Sequence, residues 1–285
     1  MSTGERDAEP RSVHPATHYD RVTDAWGLLL GADLHYGVFT SGEETLADAT
    51  AALTSAMLDA ARLAPGLSVL DVGCGTGAPA CRLAAEHRVD VTGITTSEVG
   101  VRLATERAAS DGLSGVVRFE RRDGMANGFD DARFDRVWVL ESSHLMRDRA
   151  ALVRECARVL KPGGRVALCD IVLRRPMPFE EVRRLRVPLA LLRSVFGDAR
   201  MESLDWYARA AAASGLVVDR ADDLTASTRT TFERWRTNAA DHRDAVVASL
   251  GEDGWQSFVD ACDVLEGFWD DGTLGYGLLG ASKPA

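Results

Sequence analysis

A short apolar stretch of this sequence leads directly into glycines at alternate positions. It reads Val69-Leu70-Asp71-Val72-Gly73-Cys74-Gly75-Thr76-Gly77, and a helical pattern starts near Ala78. Glycine permits the tight turn from strand to helix and lets a ligand approach the backbone where a Cβ would block it. The helix N-terminus behind the turn offers free N–H groups that suit a carboxylate or phosphate. The segment therefore predicts a ligand-binding strand–turn–helix unit.

Short apolar runs alternate with amphipathic helices on both sides of this unit, which favours crossover connections and a mostly parallel sheet. Upstream, helical periodicity runs from Tyr19 to about Ala61, with a break marked by Gly31 and Gly37. Downstream, we expect a sharp turn at 161–164 and an inserted cap helix between 174 and 197. The predicted strands are 67–72, 89–94, 116–119, 134–140, 165–172, 216–224 and 274–281, and the predicted helices are 45–63, 78–86, 98–110, 149–160, 201–214, 230–250 and 254–269.

The same patterns divide the chain into four parts. Residues 1–17 are polar and contain Pro10 and Pro15, so they predict a flexible tail. We expect an N-terminal helical lid at 18–64, a ligand-binding core at 65–175, and cap helices with the closing strands of the same domain at 176–285.

Charge and cysteine content limit the partners. The net charge is −10, from 33 basic and 43 acidic residues, which opposes binding of a nucleic-acid backbone. The apolar run Val187–Leu192 is too short to span a bilayer. Five scattered cysteines without a C-x-x-C pair indicate reduced thiols and no zinc site. We expect a cytoplasmic protein with a small-molecule substrate, no nucleic acid, no membrane and no metal; a homo-oligomer is left open.

The glycine turn has two ligand interpretations and one without a ligand. Gly73, Gly75 and Ala78 fit the dinucleotide fingerprint, but residues 91–95 lack the acidic residue that a nicotinamide oxidoreductase places after its second strand. Asp71 and Gly77 instead complete the pattern D-x-G-x-G-x-G. This pattern resembles the first motif of class I S-adenosylmethionine-dependent methyltransferases. A glycine-rich turn that binds nothing is the third interpretation.

The resemblance extends from about residue 19 to 283, and within the family it is greatest to the bacterial natural-product group. That group includes the rebeccamycin sugar O-methyltransferase, geranyl diphosphate C-methyltransferase and, more distantly, mycolic acid cyclopropane synthases. The matching segments are Tyr19-Asp20, Leu34–Gly37, Gly93–Ser97 and Glu141–His144. Relatives usually place Gln three residues after the serine, where this chain has Gly100. The resemblance implies an α/β, Rossmann-like, doubly wound sheet of seven strands with an antiparallel last strand.

The resemblance also implies a cofactor, S-adenosyl-L-methionine, and the residues that bind it. Aromatic side chains of the N-terminal lid would close over the cofactor, and an acid followed by a backbone amide would cover its adenine. Core aromatics without a ligand are the alternative for the two tyrosines. The implied cofactor residues are Tyr19, His35, Tyr36, Asp71, Gly73, Gly75, Gly77, Thr95, Ser97, Asp123, Gly124, Met125 and Glu141.

His144 is the candidate general base, since it follows a strand end and its usual pKa of about 6.5 suits removal of a hydroxyl proton. A histidine that only shapes the pocket is the alternative. If the acceptor is a carbon π-bond, Glu141, His144 or a nearby aromatic would instead stabilise or deprotonate a carbocation. Aromatic residues of the cap are the candidate substrate contacts: Phe196, Tyr207 and Trp269.

These features predict transfer of a methyl group to a small, largely apolar secondary metabolite, with an oxygen acceptor favoured by His144. A carbon acceptor on an isoprenoid or indole alkaloid, with or without cyclisation, is the runner-up. Two other classes are a cyclase without methyl transfer and a non-catalytic cofactor-binding protein. The basic residues Arg183, Arg184 and Arg186 indicate a solvated helix face rather than a diphosphate site.

Overall fold

The computed structural model describes residues 25–285; the predicted tail at 1–17 and Tyr19 lie outside them. Residues 25–30 are helical. The strands are β1 Ser68–Val72, β2 Asp90–Thr95, β3 Val117–Arg121, β4 Phe134–Leu140, β5 Leu160–Leu173, β6 Val217–Asp223 and β7 Leu274–Ser282. The helices are α1 Leu46–Ala61, α2 Ala78–His87, α3 Glu98–Ser110, α4 Arg149–Val159, α5 Phe179–Arg184, α6 Arg186–Phe196, α7 Leu204–Ala213, α8 Thr225–Thr228, α9 Thr231–Asp241 and α10 Arg243–Asp270, with a 3₁₀ turn at Ser143–Leu145.

Within residues 25–285 the strands form one sheet of seven, in the order β3-β2-β1-β4-β5-β7-β6. Strands β1 to β5 pair in parallel, and β7 runs antiparallel to both of its neighbours. The predicted α/β fold with an antiparallel last strand is confirmed. The strand order reverses between β1 and β4, and open sheets of this kind bind ligands in the crevice at such a point. The loops after β1 and β4 are therefore the place to look for a site.

Helices cover both faces of the sheet because β4 and its neighbours are apolar on both sides. Trp138 packs with Leu53 of α1 and Phe258 of α10 in one buried cluster. Val137 packs with Leu152 of α4 on the opposite face. This alternation follows from the two-residue repeat of a strand. Each fully buried large side chain contributes about 1.5–3 kcal/mol relative to exposure, so both layers hold the strand ends in place.

The cap contains two short helices where one was expected. Helix α5 ends at Arg184, and α6 begins at Arg186. Pro188 explains the break: it has no N–H to donate to the carbonyl of Arg184, and its ring crowds that carbonyl. Neither helix contains a fully buried residue, so the cap lies on the surface of the core rather than inside it.

The expected turn at 161–164 is a bulge inside β5. Leu160 pairs with Phe134, and the next register position joins Arg165 to Arg136, so the intervening residues bulge from the strand. The N–H of Gly163 donates to the carbonyl of Lys283 at 3.0 Å, which continues pairing with the chain end after β7. Long-range pairing therefore overrides the local turn pattern.

The C-terminal helices break at two places. Helix α9 ends at Asp241, earlier than expected, and α10 is interrupted at Gly251, whose φ is 78°. This second break agrees with the expected boundary between 250 and 254. Among residues 25–285, no helix is both long and apolar enough to cross a bilayer.

Candidate active site

The loops after β1 and β4 are in direct contact at the carboxyl edge of the sheet. The hydroxyl of Ser142 donates to the carbonyl oxygen of Val72 at 2.6 Å. A Cβ at position 73 would lie 2.2 Å from the Cβ of Ser142, and φ of Gly73 is +84°. Only glycine fits this position without displacing the loop. The glycine turn is thus held against the β4 loop that carries Glu141 and His144.

A cavity of about 1210 Å³ opens at this edge. Pockets for one small ligand usually measure roughly 300–1,000 Å³, so two small molecules fit side by side. It brings together most of the sequence-predicted site residues: His35, Tyr36, Asp71, Gly73, Gly75, Thr95, Ser97, Asp123, Gly124, Met125, Glu141, His144 and Phe196.

Three predicted residues that the structure describes do not line this cavity. Gly77 is the N-cap of α2, and a Cβ there would lie 2.6 Å from the ring of Phe119. Tyr207 is buried behind the β4 loop, with its hydroxyl 2.8 Å from the Oγ of Ser143. Trp269 stacks on the outer face of Tyr36 with ring centroids 5.5 Å apart, so it supports the cavity wall from behind.

Asp71 is a buried carboxyl at the end of β1 and lines the cavity. Its Oδ2 has no hydrogen-bond partner among the described residues. Burial raises the pKa of Asp71 to about 7. A buried carboxyl of this kind is suited to a cationic group placed in the cavity, which would favour its ionised form.

The loops after β2 and β3 also line the cavity. The hydroxyl of Ser97 accepts the N–H of Gly100 at 2.8 Å and caps α3. A Cβ at position 100 would lie 3.0 Å from the carbonyl oxygen of Gly75, so α3 packs closely on the glycine turn. After β3, the Oδ1 of Asp123 accepts the N–H of Met125 at 2.9 Å, which fixes this short turn.

The segment 33–36 is held between the core and the cavity. The guanidinium of Arg82 on α2 donates to both carboxylate oxygens of Asp33, with one N–O distance of 2.8 Å. Burial opposes ionisation, but the hydrogen bond and charge of Arg82 hold the pKa of Asp33 below its usual range. At the other end, the N–H of Tyr36 donates to Glu141 at 2.8 Å. These contacts place the Tyr36 ring in the cavity wall.

Replacing Arg82 with Leu should lower the free energy of unfolding by about 2 kcal/mol, because the buried carboxylate of Asp33 loses its charged partner. Urea unfolding measures this change. The matched control is Arg102→Leu, whose pair with Glu106 is exposed (59% and 61%), so the expected change is below about 0.5 kcal/mol. Equal losses in the two variants would contradict the assigned role of Arg82.

His144 forms a buried pair with Asp170 of β5. Its Nδ1 lies 2.6 Å from Oδ1 of Asp170. An ionised carboxylate can only accept, so Nδ1 carries the proton and Nε2 is the ring atom available in the cavity. Burial lowers the pKa of His144, but the charge and hydrogen bond of Asp170, with the charge of Glu141, raise it above its usual value overall. Asp170 therefore holds the imidazole of His144 in the orientation and tautomer that a general base requires.

Asp170 is a site residue that the sequence analysis missed as a partner of His144. It is fully buried, and its pKa lies below the usual range: burial raises it, but His144 and the donors around the carboxylate outweigh burial. The signal was an acid inside the apolar run Ala167–Val172. A charged residue in a buried strand requires a partner.

Glu141 connects three elements at the cavity wall. It accepts the N–H of Tyr36 and the hydroxyl of Tyr276 from β7. Burial is the largest influence and raises the pKa of Glu141 to about 8 despite these donors. Its φ of +46° is unusual for a residue with a side chain, and the two hydrogen bonds hold it there.

Apolar side chains form the remaining wall of the cavity. They come from the helical residues before 31, from β5 and β7, from the cap and the segment after it, and from the C-terminal helices, which meet only in the folded chain. The rings of Trp26 and Phe196 form a T-shaped pair with centroids 5.8 Å apart. This wall consists of Trp26, Leu30, Ile171, Leu189, Leu192, Phe196, Met201, Trp235, Leu265 and Leu274. Arg183, Arg184 and Arg186 are not part of the lining.

Comparison with known proteins shows the family to which this chain belongs. The family model for mycolic acid cyclopropane synthetase matches residues 6–267. The chain belongs to this family. As a family member it is an S-adenosylmethionine-dependent methyltransferase, and the nicotinamide oxidoreductase interpretation is set aside.

Two curated family members cover nearly the whole chain. The 27-O-demethylrifamycin SV methyltransferase of Amycolatopsis mediterranei is 37% identical over 276 residues, 93% of this chain and 95% of that protein. The methyltransferase GfsG of Streptomyces halstedii is 32% identical over 284 residues, 98% and 96% of the two chains.

Solved structures agree with this methyltransferase fold. The cyclase SpnF has a TM-score of 0.81 at 28% identity, covering 96% of this chain and 98% of that chain. The mycolic acid cyclopropane synthase CmaA1, solved with S-adenosylhomocysteine, has a TM-score of 0.84 at 21% identity and covers 98% and 100%.

The residues that line the cavity can be compared with the chemical groups of S-adenosylmethionine. The unpartnered Oδ2 of Asp71 suits the ammonium group of the methionine part. A Cβ at Gly75 would meet no heavy atom within 4 Å, so a ligand has room to lie against this backbone. Tyr36 lines the cavity, and an aromatic side chain is a favourable neighbour for a sulfonium. The residues present fit the cofactor.

Proposed function

We propose that this methyltransferase transfers a methyl group to a hydroxyl oxygen of a small, largely apolar natural product, with His144 as general base. The supporting observation is the buried His144–Asp170 pair, whose two atoms lie 2.6 Å apart beside a cavity with room for cofactor and acceptor. A hydroxyl is a weak nucleophile until its proton is removed, and an oriented imidazole performs this removal at neutral pH.

The residues of this site have separate roles in the proposed reaction. S-adenosylmethionine supplies the electrophilic methyl group when it is bound. The Nε2 of His144 accepts the hydroxyl proton, and the negative charge of Asp170 stabilises the imidazolium that results. The cavity walls hold the acceptor in line and exclude water, which supplies most of the acceleration in such transfers.

We assign the cofactor contacts to one side of the cavity. Asp71 and the turn at Gly73 and Gly75 hold the methionine part, while Gly77 acts only through the shape of the turn. His35, Tyr36 and Tyr19 belong to the covering lid. Thr95 and Ser97 bind the ribose. The turn Asp123-Gly124-Met125 binds the adenine.

The acceptor class follows from the apolar wall and from the named relatives. The ten apolar side chains named above line the same cavity as His144. Phe196 is the assigned cap contact with substrate, whereas Tyr207 and Trp269 lie behind the wall. A rifamycin derivative is the acceptor of the most similar relative described above, and we propose that the acceptor here is likewise an apolar secondary metabolite.

The test is an acceptor assay with purified protein and S-adenosylmethionine. We use 27-O-demethylrifamycin SV with a panel of apolar alcohols and phenols, and measure S-adenosylhomocysteine together with product mass. The expected result is a methyl ether formed in step with S-adenosylhomocysteine. Each active acceptor is repeated with that hydroxyl already methylated. Continued methylation of the capped acceptor would contradict an oxygen acceptor.

A carbon acceptor is the second candidate, because Glu141 offers a protonatable carboxyl beside Tyr36 and Tyr276. Its pKa of about 8 lets it exchange a proton near neutral pH, as removal of a proton from a carbocation requires. Geranyl diphosphate C-methyltransferase shares the fold, with a TM-score of 0.71 at 20% identity. A product isomeric with its substrate, formed without S-adenosylhomocysteine, would instead indicate cyclisation alone.

We further propose a cytoplasmic enzyme that acts on a free small molecule, without nucleic acid or a membrane. The five cysteines are all buried and unpaired, which suits a reducing compartment. The net charge of −10 disfavours a nucleic-acid substrate.

A further inference from the structure

We propose that Ser143 and Tyr207 are positioning residues that set the proton affinity of His144 by way of Asp170. This inference rests on the proposed function, since it concerns the residue assigned as base. Both side chains are fully buried, and neither lines the cavity. They act on the base from behind, without contact with substrate.

Tyr207, Ser143 and Asp170 are joined by hydrogen bonds that all donate in the same direction. The Oγ of Ser143 lies 2.5 Å from Oδ2 of Asp170, and the Tyr207 hydroxyl lies 2.8 Å from the same Oγ. The ionised carboxylate can only accept, so Ser143 donates its single proton to Asp170. Tyr207 must then donate to Ser143. The chain therefore runs from Tyr207 on α7 through Ser143 to Asp170.

Four donors surround the Asp170 carboxylate. Nδ1 of His144 and the N–H of Ile171 contact Oδ1, at 2.6 and 2.8 Å. The hydroxyl of Ser143 and the N–H of His144 contact Oδ2, at 2.5 and 3.1 Å. Two of these are backbone groups that no substitution removes. Ser143 is thus the donor through which the environment of the carboxylate is adjustable by side-chain chemistry.

The direction of the effect follows from charge. Each donor spreads the negative charge of Asp170 and weakens its pull on the imidazolium proton. Removing the Ser143 hydroxyl concentrates that charge, so protonated His144 becomes more stable and its pKa rises. Removing the Tyr207 hydroxyl weakens the Ser143 donor and has a smaller effect in the same direction. A base with a higher pKa is protonated, and idle, over a wider pH range.

Other charged groups around this centre stay constant across the variants. Glu141 faces His144 from the end of β4 and raises its pKa. Beyond Tyr207, the guanidinium of Arg149 pairs with Glu202 at 3.0 Å. Tyr36, Cys169 and Tyr276 are further titratable neighbours, and the pKa of each responds to the charges of Glu141 and Asp170. Two arginines are also near: Arg147 lines the cavity, and the backbone N–H of Arg200 donates to the carbonyl of His144 at 2.7 Å.

The decisive experiment is an NMR titration of the His144 imidazole in the free protein, assigned among six histidines by the signal absent from His144→Asn. We expect Ser143→Ala to raise the pKa of His144 by about one unit. Tyr207→Phe should raise it less, and Ser143→Thr, which keeps the hydroxyl, should leave it near the parent value.

Ser203→Ala is the matched structural control. Ser203 caps α7 by accepting the N–H of Trp206 at 3.0 Å, so its removal loosens the helix that carries Tyr207 without removing either hydroxyl of the chain. In the Ser203→Ala variant, the pKa of His144 should equal that of the parent protein. An unchanged or lowered pKa in Ser143→Ala and Tyr207→Phe would overturn the proposal, and Tyr207→Phe alone decides if Ser143→Ala does not fold.

Activity measurements separate this inference from the proposed function. If His144→Asn transfers methyl groups as fast as the parent while Ser143→Ala still shifts the titration, the base assignment fails and the chain of hydrogen bonds stands. If His144→Asn is slow but neither hydroxyl affects the titration, the base assignment stands and this inference fails.

Discussion

Replacing His144 with Asn should slow methyl transfer to a hydroxyl acceptor by roughly two to four orders of magnitude, the usual contribution of a general base. Asn keeps an N–H that can reach Asp170 but has no basic nitrogen for the hydroxyl proton. Steady-state formation of S-adenosylhomocysteine with a confirmed acceptor measures the loss. Affinity for S-adenosylhomocysteine, by calorimetry, should stay nearly unchanged because the base belongs to the acceptor side.

The pH dependence of this reaction adds a second readout. The base works only when neutral, and the pKa of His144 is raised above 6.5, so kcat/KM of the parent should fall on the acid side of a midpoint above that value. With S-adenosylmethionine kept saturating, so that ionisation of Asp71 does not limit the rate, the Asn variant should lack this limb. His87→Asn is the control, since His87 is a partly exposed residue outside the cavity. A His144→Asn variant with the parent's rate would make His144 architectural.

Local patterns predicted the layout of the sheet because its strands depend on short-range properties. Helix α3 and strand β4 have the predicted bounds, and the glycine turn lies where β1 ends. The structure differs from the predicted elements where the local conformation depends on residues outside the local pattern. The bulge at 161–164 depends on pairing with Lys283, and the break before α6 depends on the position of Pro188 within a single helical pattern.

The site was predictable at strand ends and less so on helices. Asp71, Glu141 and His144 follow or end parallel strands, which meet at one edge in every sheet of this type. Tyr207 and Trp269 are aromatics at helical spacing, and that spacing leaves open which face meets the cavity. Packing of α7 turns Tyr207 toward Ser143, and Trp269 lies behind Tyr36. The Asp170 partner required knowing that β4 and β5 are neighbours.

Replacing Asp71 with Asn should weaken binding of S-adenosylhomocysteine by about 100-fold, because one partner of a buried charge pair is lost. Its pKa of about 7 makes parent affinity pH-dependent: binding of a cation requires the ionised carboxylate, so affinity should rise between pH 5.5 and 7.5. The variant should lose this rise. Calorimetric titration across that window measures both effects, with Asp90→Asn as an exposed control.

The same substitution should stabilise the ligand-free protein, which distinguishes a binding role from a structural one. The folded pKa of about 7 exceeds the usual 3.8, so the native state holds a proton that the unfolded chain has released. Stability of the parent therefore falls as pH rises from about 4 to 7. Asn carries no such penalty, and its gain in unfolding free energy should reach up to about 4 kcal/mol above pH 7. A variant that is both less stable and weaker in binding would mean that Asp71 supports the fold, whereas greater stability with lost affinity means that this carboxyl is kept, at a cost to the fold, for the cofactor.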